Sequence, residues 1–181
     1  MLPFTYHNLT FSGSGEFTLA DGTINVGGNF VQSAGTFYLG SFGDPILNVT
    51  GNMTLGNNVF NSRNAYDSVI NVGGDLNIIT GGRLLSYSNY GTDTVTVTGN
   101  VLLSGTGSWD NFSDLASNIS IGGNLTLANN SEYYLYHDTV LTIGGNMILA
   151  NDGYFSAEDF GSGENSTITV NGDFSQSGAS I

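Results

Sequence analysis

The sequence predicts an all-β chain wound as a right-handed parallel β-helix (β-solenoid), with three short strands per coil and about eight coils. Three observations lead there. First, one seven-residue pattern recurs seven times: Ile24-Asn25-Val26-Gly27-Gly28-Asn29-Phe30, Leu47-Asn48-Val49-Thr50-Gly51-Asn52-Met53, and five further copies. Its second glycine falls at 28, 51, 74, 99, 123, 145 and 172, in steps of 23, 23, 25, 24, 22 and 27. Second, apolar and polar residues alternate with period two inside each repeat, and no stretch carries the helical period. Third, glycine supplies 27 of 181 residues and proline only two, the composition of many short strands punctuated by turns.

An eighth, shortened copy opens the chain as Phe4-Thr5-Tyr6, His7-Asn8 and Leu9-Thr10-Phe11. The unbroken repeat leaves no room for a linker, so residues 1–181 are read as a single solenoid domain, a segment or subunit of a longer assembly. Coils about 4.8 Å apart make a rod roughly 40 Å long, and parallel crossovers favour the right hand.

The first strand of each coil is the apolar–polar–apolar triplet, with Ile24 and Val26 inward. Its outward row is Asn25, Asn48, Asn71, Thr96, Ser120, Thr142 and Thr169. Next comes the column Asn8, Asn29, Asn52, Asp75, Asn100, Asn124, Asn146 and Asp173. It is read as a structural turn ladder, with calcium or ligand binding as the rival. Asn and Asp tolerate left-handed backbone, stacked amides hydrogen-bond from coil to coil, and the preceding glycines supply positive φ. The second strand follows the column, as in Leu125-Thr126-Leu127. The third strand starts at Phe17, Phe37, Val59, Leu84, Trp109, Tyr133 and Tyr154. All seven are large and apolar, so that row is assigned to the core. Eight Asn-x-Ser/Thr sequons, at Asn8, Asn48, Asn52, Asn111, Asn118, Asn124, Asn129 and Asn165, follow from Asn/Thr richness. Three sit in the ladder, where a glycan would break the stack.

Acids gather in the segment leading to the next first strand: Asp21, Asp44, Asp67, Asp93, Asp114 and Asp138, then Glu158, Asp159 and Glu164. Asp44 and Asp67, one coil apart, are the candidate metal residues, and calcium is the one cofactor such a column would admit. Turn-forming Asx residues would give the same column, and the dense calcium-loop patterns are absent. The spacing also mimics a retaining glycosidase, whose carboxyls stand about 5–5.5 Å apart. Any acid column in a solenoid produces that separation, so it carries little information. His7 and His137 lie six coils apart, and no Gly-x-Ser-x-Gly elbow, His metal cluster or phosphate loop occurs. No residue is assigned a catalytic role.

One outward row invites a ligand. Beside the inward third-strand row run Thr18, Tyr38, Phe60, Leu85, Asp110, Tyr134 and Phe155. Tyr38, Phe60, Leu85, Tyr134 and Phe155 form the candidate binding set for sugar stacking or a lateral protein contact. The same pattern arises if the phase slips by one residue in some coils, or if loops 40–46, 87–94 and 157–167 fold over the row. An ice-binding face would need regular Thr-x-Thr, which only Thr94-Thr96-Thr98 and Thr167-Thr169 approach.

Fifteen acids against Arg63 and Arg83, with a net charge of -13, argue against nucleic acid and anionic lipid as partners. No apolar run is long enough to span a membrane. Leu2-Pro3-Phe4 enters the first coil directly, so no signal peptide is expected there. With zero cysteines, the redox compartment is unreadable.

Tyr6-His7-Asn8-Leu9-Thr10-Phe11-Ser12-Gly13-Ser14-Gly15, followed by Thr23-Ile24-Asn25-Val26-Gly27-Gly28-Asn29-Phe30, resembles the repeats of large bacterial β-strand-repeat surface proteins. It is similar in style to autotransporter passengers and filamentous-haemagglutinin-type exoproteins. The likeness covers the whole chain and transfers no site residue. It implies an extracellular or cell-surface β-helical shaft used for adhesion, biofilm or an envelope layer. The expected function is therefore a non-enzymatic structural stalk or filament segment. The rival is a carbohydrate-binding or carbohydrate-cleaving β-helix using the aromatic row. The terminal coils show no polar cap or amphipathic helix. The C-terminal coil is therefore expected to be continued, by further residues of a longer chain or by the N-terminal coil of a second copy, end to end, with a surface glycan as the other candidate partner.

Overall fold

The computed structural model describes residues 4–19, 22–40, 43–62, 66–86, 91–112, 115–158 and 165–178. Over these residues the chain is all-β, without a helix, and is a parallel β-helix of about seven turns. The first strands (Phe4–Tyr6, Thr23–Val26, Ile46–Val49, Ser68–Val72, Thr92–Val97, Ala116–Ile121, Asp138–Ile143 and Thr167–Val170) stack in sequence order as one eight-stranded parallel sheet. Second strands such as Val101–Ser104 and Leu125–Ala128, and third strands such as Ser108–Asn111 and Glu132–Tyr136, stack likewise. In two coils the second and third strands run on without a break, as Met53–Asn61 and Leu76–Ser86. That fusion joins both rows into one 13-stranded sheet.

The registers follow from the alternation. Ile24 pairs with Leu47, Leu47 with Ile70, and Ile70 with Val95, so like falls on like and every inward column stays apolar. These columns form one buried core from Leu19 to Phe155. A full side chain of this size contributes about 1.5–3 kcal/mol on burial. Aromatic rings in the third-strand column stack at the spacing of the coils. Phe37 and Phe60 lie 4.9 Å apart with planes 11° apart, and Trp109 and Tyr133 lie 4.8 Å apart at 14°. The core is not wholly apolar: Tyr133 is fully buried and its hydroxyl has no partner, whereas Trp109 Nε1 donates to Ser86 Oγ at 3.2 Å.

The inward third-strand column is Phe17, Phe37, Phe60, Leu84, Trp109, Tyr133 and Phe155. Two sequence assignments are therefore corrected: Val59 and Tyr154 point outward, and Phe60 and Phe155 take the inward places. For Phe60 the corner before the third strand is the cause, while Phe155 keeps the six-residue spacing of Leu84, Trp109 and Tyr133. Phe60 follows Leu55 by five residues, whereas Leu84 follows the paired Ile78 by six, and the ladder shows a register shift between Ile79 and Gly82. A slip of one residue in a period-two structure moves a side chain to the opposite face.

Candidate functional site

The Asn/Asp column is a continuous axial hydrogen-bond chain. Each Oδ1 accepts the main-chain N–H of its counterpart one coil on, from Asn29 N–H to Asn8 through to Asp173 N–H to Asn146, at 2.7–2.9 Å. A second chain runs beside it, glycine N–H to glycine C=O, from Gly28 to Gly172 at 2.8–3.0 Å. The side chain needs only to accept, which explains why Asp75 serves in place of Asn.

The column's side chains range from half-buried to exposed. Two expectations about it are corrected. Amide stacking within the column is confined to Asn100 Nδ2 donating to Asp75 Oδ1 at 3.2 Å. A true amide ladder lies instead on the outward first-strand row, where Asn48 Nδ2 donates to Asn25 Oδ1 at 2.8 Å and Asn71 Nδ2 to Asn48 Oδ1 at 2.9 Å. Finally, neither the column nor its glycines adopt positive φ. That conformation occurs at other corners, for example Gly105, Asn129 and Asn151. The glycines are required by proximity: a Cβ on Gly123 would stand 2.5 Å from Asn100 Oδ1 and 2.9 Å from Gly99 O.

Asp44 and Asp67 use the same device. Asp44 Oδ1 accepts from Asp67 N–H at 3.3 Å, and Asp67 Oδ1 from Thr92 N–H at 2.8 Å. Asp138 Oδ1 accepts from Asn165 N–H at 2.6 Å. Both candidate metal residues are exposed and each commits one oxygen to main chain. Among the described residues no group of three or more His, Cys, Asp or Glu stands close enough to hold a metal ion. Asp21, Asp114, Asp159 and Glu164 lie outside the described residues.

Asp93 departs from its expected place among the loop acids. It sits in the strand Thr92–Val97, faces inward, and is 1% exposed. Ser68 Oγ and Ser62 Oγ both donate to its Oδ1, Ser62 at 3.4 Å, while Oδ2 has no partner. Burial dominates, and with a smaller push from the Asp67 charge it raises the carboxyl pKa to about 6 against the two serine bonds. Around it the corner between third and first strands is polar: Asn111 Nδ2 donates to Thr139 Oγ1 at 2.8 Å, and Ser117 Oγ to Asn111 Oδ1 at 3.0 Å.

The candidate binding set divides in two. Phe60 and Phe155 are core residues, 0% and 7% exposed, and cannot present a ring to a ligand. Tyr38, Leu85 and Tyr134 remain on the outward face, half-buried. Their row, by register, is Thr18, Tyr38, Asn61, Leu85, Asp110, Tyr134 and Ser156. The aromatic density shifts toward the later coils and includes residues outside the expected row. Phe112 stacks on Tyr136 at 4.1 Å and 13°, Tyr136 lies 6.0 Å from Tyr134 at 18°, and Tyr134 meets Tyr154 at 5.5 Å and 52°.

Charged groups border these rings. Asp110 pairs with Tyr134 in register and faces outward, yet is almost fully buried. Arg83 Nε contacts its Oδ2 at 2.5 Å from a side chain that is 47% exposed. Desolvation raises the Asp110 pKa, opposed by the Arg83 hydrogen bond and charge. The Tyr134 hydroxyl is pushed up to about 12 by desolvation first, then by the charge of Glu132, to which it also hydrogen-bonds. The Arg83–Asp110 pair and the Phe112–Tyr136 stack were not foreseen from the sequence. Their partners lie 27 and 24 positions apart, about one coil, so the repeat itself was the signal for finding them. Comparison of the chain with protein-family models, with curated proteins and with solved structures returns no match.

Proposed function

We propose that this chain is a non-enzymatic structural β-solenoid, a stalk or filament segment displayed outside a bacterial cell in the manner of an adhesin shaft. The observation that carries this reading is the pair of axial hydrogen-bond chains, side chain to main chain and glycine to glycine, which runs from the first coil to the last. Every coil spends its most regular residues on gripping its neighbours. The resemblance of the repeats to those of surface proteins favours an exterior location, and the strongly acidic composition suits a solvated exterior.

The same reading has the stack associate end to end with a second copy. Phe17 and Phe174, on the terminal coils, are 40% and 52% exposed. Proteins normally cover such edges, and a heterologous contact that does not close grows into a filament. Negative-stain microscopy and sedimentation across concentration test this part: rods that lengthen in units of one chain are expected from the isolated chain, and a stable monomer with both ends in solvent would overturn it. Assays on neutral and acidic polysaccharides should release no product. Release abolished by Asp67→Asn or Asp93→Asn would overturn the structural reading.

A further inference from the structure

We propose that the third-strand face around Tyr134 is a platform that binds a neutral glycan chain. Four rings from three successive coils are in continuous contact: Phe112 on Tyr136, which is itself buried and backs the face, Tyr136 beside Tyr134, and Tyr134 against Tyr154. Their mutual contacts hold them in place before any ligand arrives, which lowers the ordering cost of binding. Tyr134 and Tyr154 each keep one side toward solvent, and such a ring surface matches the C–H face of a sugar.

The surrounding polar groups answer the sugar's hydroxyls. Glu132 offers carboxylate oxygens and is bonded to the Tyr134 hydroxyl. Arg83 uses Nε on Asp110, and the rest of its half-exposed guanidinium offers further donors in a fixed plane. Acceptors and donors thus flank the rings within two coils. That mixture separates the face from a purely apolar patch, which would favour a second copy of the chain.

Charge selects the glycan class. Asp110 is buried and neutralised by Arg83, so the exposed carboxylate at the platform's edge is Glu132; with the protein's net charge of -13 it disfavours uronic or sulfated sugars. A cationic ligand would seek an aromatic cage with rings spread around it. Here the rings lie 4.1–6.0 Å apart in direct contact, leaving no space between them. This inference goes beyond the shaft reading, which stands or falls on the shape and growth of the rods.

The test is affinity electrophoresis through gels containing galactomannan, xyloglucan or mixed-linkage β-glucan, with polygalacturonate as the anionic probe. At least one neutral polymer should retard the chain. Tyr134→Ala and Tyr154→Ala should each weaken that retardation by about tenfold or more. Tyr134→Phe, which keeps the ring, should retain most of it, and Tyr38→Ala, several coils away, all of it. Thermal melting of each variant establishes that the fold persists, and Tyr154→Ser replaces any that fails. No retardation by any neutral polymer, equal retardation of wild type and ring-deleted variants, or stronger retardation by polygalacturonate would each overturn the proposal. So would sedimentation showing that Tyr134→Ala dissociates a laterally paired form, because the face would then belong to a second copy.

Discussion

Asp93 is a carboxyl group placed where a small apolar side chain would cost less. One of its oxygens holds two serine hydroxyls and the other faces protein without a donor. The folded pKa of about 6 lies above the ordinary value of 3.8, so the fold binds the proton more tightly than the unfolded chain does. The ionised form therefore weakens the fold at neutral pH. Stability contributed by this residue rises as pH falls through 6 and levels off below about 4. Two pKa units correspond to about 3 kcal/mol. Asp110 acts in the same direction, tempered by Arg83. Urea titrations of wild type and Asp93→Asn between pH 4 and 7.5 check the effect. The wild type should lose stability with rising pH more steeply than the variant, and parallel profiles would show that Asp93 does not titrate in this range.

The turn column is where one element of the coil meets its copy in the next. Asn124 accepts from Asn146 N–H at 2.7 Å, so Asn124→Ala should cost about 1 kcal/mol, as loss of a comparable helix cap does. Asn124→Asp should stay close to wild type, because the carboxylate accepts equally well and its column neighbours, Asn100 and Asn146, are uncharged. Gly145→Ala should cost more than either, since its Cβ would meet both Asn124 Oδ1 and Gly123 main chain. Chemical denaturation of the three variants gives the ranking, and equal losses for the Ala and Asp variants at 124 would refute the acceptor argument. The position of this column, the triplets and their inward faces were legible because Gly-Asn recurs at a nearly fixed step. What the glycines do was not legible: positive φ and close approach leave the same residue in the sequence. The aromatic face was misread at Phe60 because a corner of five or six residues looks alike without its neighbour's register, and at Phe155 because the adjacent Tyr154 and Phe155 are both aromatic and the sequence does not say which turns inward. Asp93 was misplaced for a similar reason, since a strand extended by two residues turns a loop acid inward.

For the whole molecule, the consequence concerns direction. Among the described residues all strand pairing is parallel and between successive coils, so the main-chain hydrogen bonds that hold the stack lie along its axis. A pull on the two chain termini along that axis does not load the bonds of many coils together. It concentrates on the outermost coil, whose bonds open in turn, and the next coil then takes the load. Each step frees about two dozen residues and lengthens the tether by roughly 80 Å. In an optical trap the expected record is a staircase of small, similar extensions at modest force, and a single rupture of the whole chain would contradict it. A rod built this way is stiff under compression and bending yet yields by paying out line under tension. It would protect whatever it is tied to from a sudden jerk by growing longer instead of breaking.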